Sequence, residues 1–202
     1  MQPAERAPIL PYCRVPIIVR DANAAAPEVA RRVAELIAKQ RPGAVAEHVG
    51  SSAVPGLAGK GTVDLLLPTP SDEIPAVTED LLELGFQRQS VSTAFPPTRP
   101  MLQGVIRHGD TSFRVHVHVV PEDSPEVAAL RGFRDALLAD PDLRQQYEQL
   151  KRSIVGAGTV DSVAFSKAKH AWIVAALERL GLTEAVEEVK SGGPSLVRSR
   201  IR

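Results

Sequence analysis

The sequence predicts an α/β protein: a mixed sheet with helices packed on one face, followed by an all-helical C-terminal portion. Three observations predict it. In the first part, short β-branched and apolar segments alternate with amphipathic helical ones. Residues 101–107 and 111–120 read as two strands of a hairpin separated by His108-Gly109-Asp110. Beyond residue 124 the strand signals cease and helical spacing takes over. A chain of 202 residues, 44% hydrophobic and 24% charged, can bury a full core. The expected organisation is an α/β core over 1–122, a helical portion packed on it over 123–182, and a flexible basic tail over 183–202.

Taken in order, a Pro-rich extended start leads into a helix over 27–40. Pro27 suits a first helical turn, and Val29, Val33, Leu36 and Ile37 recur on one face. Residues 44–49 read as a short strand, 50–61 as a glycine-rich loop, and 62–67 as a strand stopped by Pro68. A helix over 74–84 ends at Gly85, whose missing Cβ suits a left-handed cap. In the second arm of the hairpin, Val115, Val117 and Val119 share one face while Arg114, His116 and His118 share the other. Ser124-Pro125 and Asp140-Pro141 each read as an N-cap followed by proline at the first helical position, and a last helix over 161–180 is closed by Gly181. Within the helical part Phe133, Tyr147 and Leu150 fall at core spacing, with Lys151 beside them.

The composition excludes several functions. The net charge is zero, so no global field holds the chain on nucleic acid or anionic lipid. The longest apolar run, 63–67, is far below membrane-spanning length. The start MQPAERAPIL lacks the organisation of a secretory signal. A single Cys13 rules out an internal disulfide and a multi-cysteine zinc site, so a cytoplasmic location is expected. The tail carries Lys190, Arg198, Arg200 and Arg202 without an acid, which fits either a disordered end or an arm for RNA or a partner protein.

The chemistry is concentrated between His48 and Asp64. Gly50, Gly56, Gly59 and Gly61 let backbone approach a ligand, Ser51 and Ser52 add hydroxyls, and Lys60 adds a positive charge. Asp64, in an otherwise apolar strand, is expensive to place unless it faces solvent, a metal or a partner. A phosphate-bearing ligand on the loop and a divalent cation on Asp64 suit this set; a merely tight connection is the simpler reading. Lys60 is followed by Gly61 and a strand, which excludes a Walker A loop, and no dinucleotide fingerprint or nucleophile elbow is present. Arg114, His116 and His118 can share Asp64's face. There the imidazoles could join Asp64 around manganese, iron or zinc, or contact ligand with Arg114 clamping phosphate, or only hydrogen-bond. His48 either orders the loop or simply ends its strand. Lys167 and Lys169, like Arg131 and Arg134, are candidates for cleft contact, although most surface cations are only solvated.

Three ordered strings, HVGSSAVPGLAGK, RVHVHVVP and GFRDALLADPDLRQQYEQLK, resemble the GrpB family over about residues 47–180. The resemblance implies a nucleotidyltransferase-like fold of the DNA polymerase β type. It implies a nucleoside triphosphate as substrate, magnesium or manganese as cofactor, Gly50 and Ser51 as the triphosphate contact, and Asp64 as the first metal carboxylate. The superfamily's second carboxylate would stand at Leu66, and no acid lies within 111–120 to supply a third. Two functions follow as expectations: a metal-dependent nucleotidyltransferase with an unknown acceptor, or a non-catalytic module binding a nucleotide or phosphometabolite.

Overall fold

Helix α1 spans Ala26–Gln40, with Pro27 in its first turn. Val29, Val33 and Ile37, four residues apart, form one buried stripe that must find an apolar partner. A five-stranded sheet supplies it. The computed structural model describes residues 7–89 and 95–182. Within them lie β1 (Glu47–Val49), β2 (Thr62–Thr69), β3 (Gln87–Arg88), β4 (Met101–His108) and β5 (Thr111–Pro121). Their spatial order is β1-β2-β5-β4-β3, with β2 and β5 parallel and every other neighbouring pair antiparallel. The expected hairpin is present, closed by Gly109-Asp110 between the paired His108 and Thr111. Asp64 stands directly opposite His116.

Period-two alternation sorts the side chains. Val63, Leu65 and Leu67 of β2 and Val115, Val117 and Val119 of β5 enter one core with α1 and with α2 (Ile74–Glu83). Each such side chain contributes about 1.5–3 kcal/mol by leaving water. Helix α2 stops where Gly85 takes φ +101°. There the Phe86 N–H donates to the Leu81 carbonyl at 3.1 Å and the Gly85 N–H to the Leu82 carbonyl at 2.9 Å, a paired closure that only a left-handed residue permits.

The other face carries Thr62, Asp64, Arg114, His116 and His118. Helix α3 (Pro125–Ala139) roofs one end of it, where Val49, Leu66, Val120 and Val127 form a small core of their own. Helices α4 (Pro141–Gly156) and α5 (Ser162–Arg179) follow. The starts of α3 and α4 are capped as the sequence predicts: Ser124 accepts from the Glu126 N–H at 3.2 Å, and Asp140 accepts two backbone N–H groups at 2.9 Å. Asp161, expected only as the first residue of the last helix, caps α5 in the same way, accepting two at 2.9 Å. Tyr147 of α4 stacks on Trp172 of α5, and Phe133 of α3 meets both rings edge-on.

Two strand boundaries differ from expectation. The strand expected over 44–49 pairs only from Glu47, and Val45 is 68% exposed. The strand expected to stop at Pro68 runs on to Thr69. β1 reaches only the register of Leu66, so Pro68 lies beside an open edge, where a missing N–H costs no ladder bond on that side. The glycine-rich loop contains a short 3-10 turn, Ser51–Ala53. Among the described residues no helix is long and apolar enough to cross a membrane. The expected basic tail over 183–202 lies outside the described residues.

Candidate functional site

The parallel pairing of β2 with β5 brings the strand carboxylate and both strand imidazoles together. Asp64 Oδ1 lies 3.2 Å from His116 Nδ1 and 3.9 Å from His118 Nε2. One donor atom from each of the three falls within 4.8 Å of the others. Both histidines are buried and Asp64 is nearly so. Burial alone raises a carboxyl pKa, but the charge of Lys60 and hydrogen bonds from both imidazoles outweigh it and hold Asp64 well below its ordinary value. Burial, aided by Lys60 and opposed by Asp64, pushes His116 down to about 4. The ring is therefore neutral near pH 7 and keeps a lone pair. Two imidazole nitrogens and a carboxylate oxygen are a donor set for manganese, iron or zinc rather than for magnesium, which prefers oxygen alone. The residues fit a divalent metal.

The loop approaches the carboxylate from the opposite side. Gly50 takes φ +70°, and a Cβ there would meet Asp64 Oδ2 at 3.0 Å. Only glycine satisfies both demands. Two apolar loop residues, Val54 and Leu57, are buried in the cluster of Tyr147, Phe133 and Trp172, so the helical portion sets the loop's course. Helix α4 holds it at Ala58: Glu148 accepts the Ala58 N–H at 3.1 Å and Lys151 donates to the Ala58 carbonyl. The N-terminal segment holds the next residue through a two-way bridge between Arg20 and Gly59, each bond 2.9 Å. These and the turn bonds use the N–H groups of Ala53, Val54, Leu57, Ala58 and Gly59. Those of Ser51 and Ser52 take no part in these bonds. Ser51 Oγ lies over Gly59, where a Cβ would come within 2.9 Å of it. His48 Nε2 is 2.9 Å from Ser52 Oγ.

Cations surround this loop. Lys151, 1% exposed, sits over the Tyr147 ring at 4.6 Å. Burial and the neighbouring charge of Lys169, opposed by Glu148, push Lys151 down to about 7. Lys169, over the Phe165 ring at 4.6 Å, is lowered by burial to about 8 against the pull of Asp64. Lys60 is likewise lowered by burial and held up by Asp64. Arg114 donates to the Lys60 carbonyl at 2.7 Å, bracing the end of the loop.

Of the residues singled out from the sequence, Gly50, Ser51, Lys60, Asp64, Arg114, His116 and His118 converge here, with Ser52 and His48 at the loop's flank. Lys169 interacts with Asp64. Arg131 and Arg134 do not enter the cleft: Arg131 grips both oxygens of Glu47, and Arg134 donates to the His48 carbonyl at 3.2 Å, fastening α3 to β1. Leu66, at the place of a second acid, is fully buried under α3. Sequence reasoning missed Lys151 as a site residue, and also Tyr12, whose hydroxyl lies 3.3 Å from His116 Nε2. A lysine on the apolar stripe of α4, four residues after Tyr147 and three before Ile154, was a readable signal for the first. Nothing local marks Tyr12.

Fold and site together define an α/β protein with a mixed sheet, an Asp–His–His cluster and an adjoining glycine-rich loop. The family model described as GrpB protein matches residues 16–179, and the chain belongs to that family. A UPF0157 protein of Vibrio cholerae is 33% identical over 120 residues, covering 59% of this chain and 60% of that protein. A UPF0157 protein of Pseudomonas aeruginosa is 33% identical over 148 residues, covering 68% of this chain and 56% of its own length. The chain thus aligns with little more than half of these relatives. The crystal structure of GrpB from Enterococcus faecalis superposes with a TM-score of 0.63 at 21% identity, covering 85% of this chain and 98% of that one. That likeness shows a fold shared with that protein. The family match begins well before the strings legible in the sequence and takes in Arg20, which holds the loop at Gly59.

Proposed function

We propose that this chain is a metal-dependent nucleotidyltransferase whose single centre is built from Asp64, His116 and His118. The observation that carries it is the convergence of these donors with the glycine loop on one carboxylate, imidazoles at Oδ1 and Gly50 at Oδ2. A divalent ion held by these residues, for which manganese, iron and zinc match the donors better than magnesium, would supply charge that offsets the phosphates of a nucleoside triphosphate. The protein's own part is binding and orientation. The Ser51 and Ser52 amides and hydroxyls receive the terminal phosphates, and Lys60, Lys151 and Lys169 balance their charge as the pyrophosphate leaves. Burial of the three cations in a partly dry site strengthens each contact. Incubation with α-labelled ribonucleoside triphosphates, with manganese and with magnesium, tests the reading. Label transfer that prefers manganese and disappears in Asp64→Asn is expected; no transfer with either metal overturns it.

A second reading keeps the binding and drops the chemistry, and Leu66 favours it. With that position filled by core, one carboxylate remains where the superfamily uses several. The chain would then be a sensor of a nucleotide or phosphometabolite. Thermal stabilisation by nucleotides with no turnover separates the two, because a ligand of the folded state raises apparent stability.

A further inference from the structure

A cavity of about 300 Å³ lies on the same sheet face, on the far side of His116 from Asp64. It meets the loop only at its end: Lys60 lines it, whereas Gly50, Ser51 and Ser52 do not. Its floor is Thr62, Arg114 and His116 with Gln103 of β4, and the N-terminal segment from Tyr12 to Ile17 and the start of α5 close it over. Arg14, Lys60 and Arg114 give it positive charge. Asp161, the lining acid, already accepts two backbone N–H groups at the start of α5. Thr62 is 3% exposed, and its buried hydroxyl has no hydrogen-bond partner among the described residues. Gln103 is nine-tenths buried. A buried hydroxyl without a partner is costly and calls for a ligand atom or an ordered water. Val15, Ile17 and Met101 add apolar wall, the mixture expected of a small-molecule site.

Resting on the nucleotidyl-transfer reading, we infer that this cavity holds the acceptor, and that the acceptor is a small anion carrying a free hydroxyl, such as a phosphorylated or carboxylated polyol. The argument is positional. The attacking and leaving oxygens of phosphoryl transfer stand roughly in line across the phosphorus. With the leaving pyrophosphate on the serine end of the loop, the attacking oxygen enters from the side away from it, and the cavity beside His116 opens there. The acceptor oxygen bonds to the α-phosphorus while the bond from that phosphorus to the bridging oxygen breaks. Pyrophosphate departs, and the hydroxyl proton passes to water. The cations of the cavity select the acceptor's own anionic group, and Thr62 and Gln103 read its polar atoms. The cavity is too small for a polynucleotide or a folded protein, which makes an RNA or protein acceptor the disfavoured case.

Binding can be measured without any transfer. Saturation-transfer NMR on the full chain, free of nucleotide and metal, should detect glycerol 3-phosphate and 3-phosphoglycerate but not glycerol. Arg14→Ala should weaken the anions about tenfold and the near-isosteric Thr62→Val several-fold, with unchanged circular dichroism. Lys151→Met, on the loop side, should leave them bound. Excess nucleoside triphosphate should not displace them. No anion binding, binding indifferent to both cavity substitutions, or displacement by nucleotide would each overturn the inference; the last would make the cavity part of the nucleotide's own site. If nucleotide fails to bind or to react while the anions still depend on Arg14 and Thr62, the transferase reading falls and the cavity stands as an anion site.

Discussion

The two faces of β2 and β5 are made from alternate residues of the same strands, and they differ in almost every physical respect. One presents Val63, Leu65, Leu67, Val115, Val117 and Val119, all essentially without exposure, against α1 and α2. The other sets a carboxylate against two imidazoles and is rimmed by lysines. The first face is a packing problem solved by shape. The second places charge where burial disfavours it and offsets that with near neighbours, Lys60 for Asp64 and Asp64 for His116. Leu66 is the exception that defines the border, since it belongs to the polar face by alternation yet is core by packing.

Restoring the second carboxylate is the strongest way to break this comparison. Leu66→Asp removes a fully buried leucine and buries a charge among Val49, Val120 and Val127. The expected outcome is a loss of about 4 kcal/mol, a fall of roughly 10 °C in melting temperature, and no magnesium-dependent activity. Calorimetry and the transfer assay check it together. A variant of native stability that gains magnesium dependence would mean that the two faces are not divided at Leu66.

The apolar face was legible because period-two and helical spacing are local signals, and Val115, Val117 and Val119 announce their side without any knowledge of partners. The same alternation placed Asp64 opposite to Leu65 and grouped Arg114, His116 and His118. That Asp64 lands beside His116 depends on the parallel pairing of strands some fifty positions apart, a tertiary fact that the sequence could only offer as a condition. Lys151 was half-legible, as a cation on an apolar stripe. Tyr12 and Thr62 were not, because their roles arise where the N-terminal segment crosses the sheet. The end of β2 was misread for a related reason: Pro68 interrupts a strand only if both sides are paired.

The close approach of Gly50 to Asp64 offers a finer cut between the faces. In Gly50→Ala, backbone at φ +70° acquires a Cβ that meets Asp64 Oδ2 at 3.0 Å. The expected stability loss is about 1–3 kcal/mol, modest beside Leu66→Asp, because φ +70° with ψ −169° is a conformation essentially open only to glycine. Manganese affinity should fall further than stability does, since displacing Oδ2 turns the same carboxylate whose Oδ1 faces the imidazoles. Denaturant titration and metal titration on one sample separate the two. Equal losses in both would show that the loop matters to the fold alone.

The smallest expected effect is a pH dependence that runs in opposite directions for binding and for folding. Lys151 is held at about 7 by burial and by Lys169. Only its charged form attracts phosphate, so nucleotide binding should be strongest below pH 7 and weaken as the pH rises through that value. Binding near pH 7.5 should take up protons, visible as a calorimetric enthalpy that changes with the ionisation heat of the buffer. A loss of about tenfold in affinity between pH 6 and 9 is the expected scale, roughly one charge-assisted hydrogen bond. For folding the sign reverses. Between pH 7 and the ordinary lysine range the unfolded chain holds a proton on this residue that the folded chain has released, so this residue's contribution to stability rises with pH. In Lys151→Met both slopes should flatten. If binding loses its slope and stability keeps it, the burial of another group, Lys169 with its value of about 8 being the first candidate, governs folding on this face.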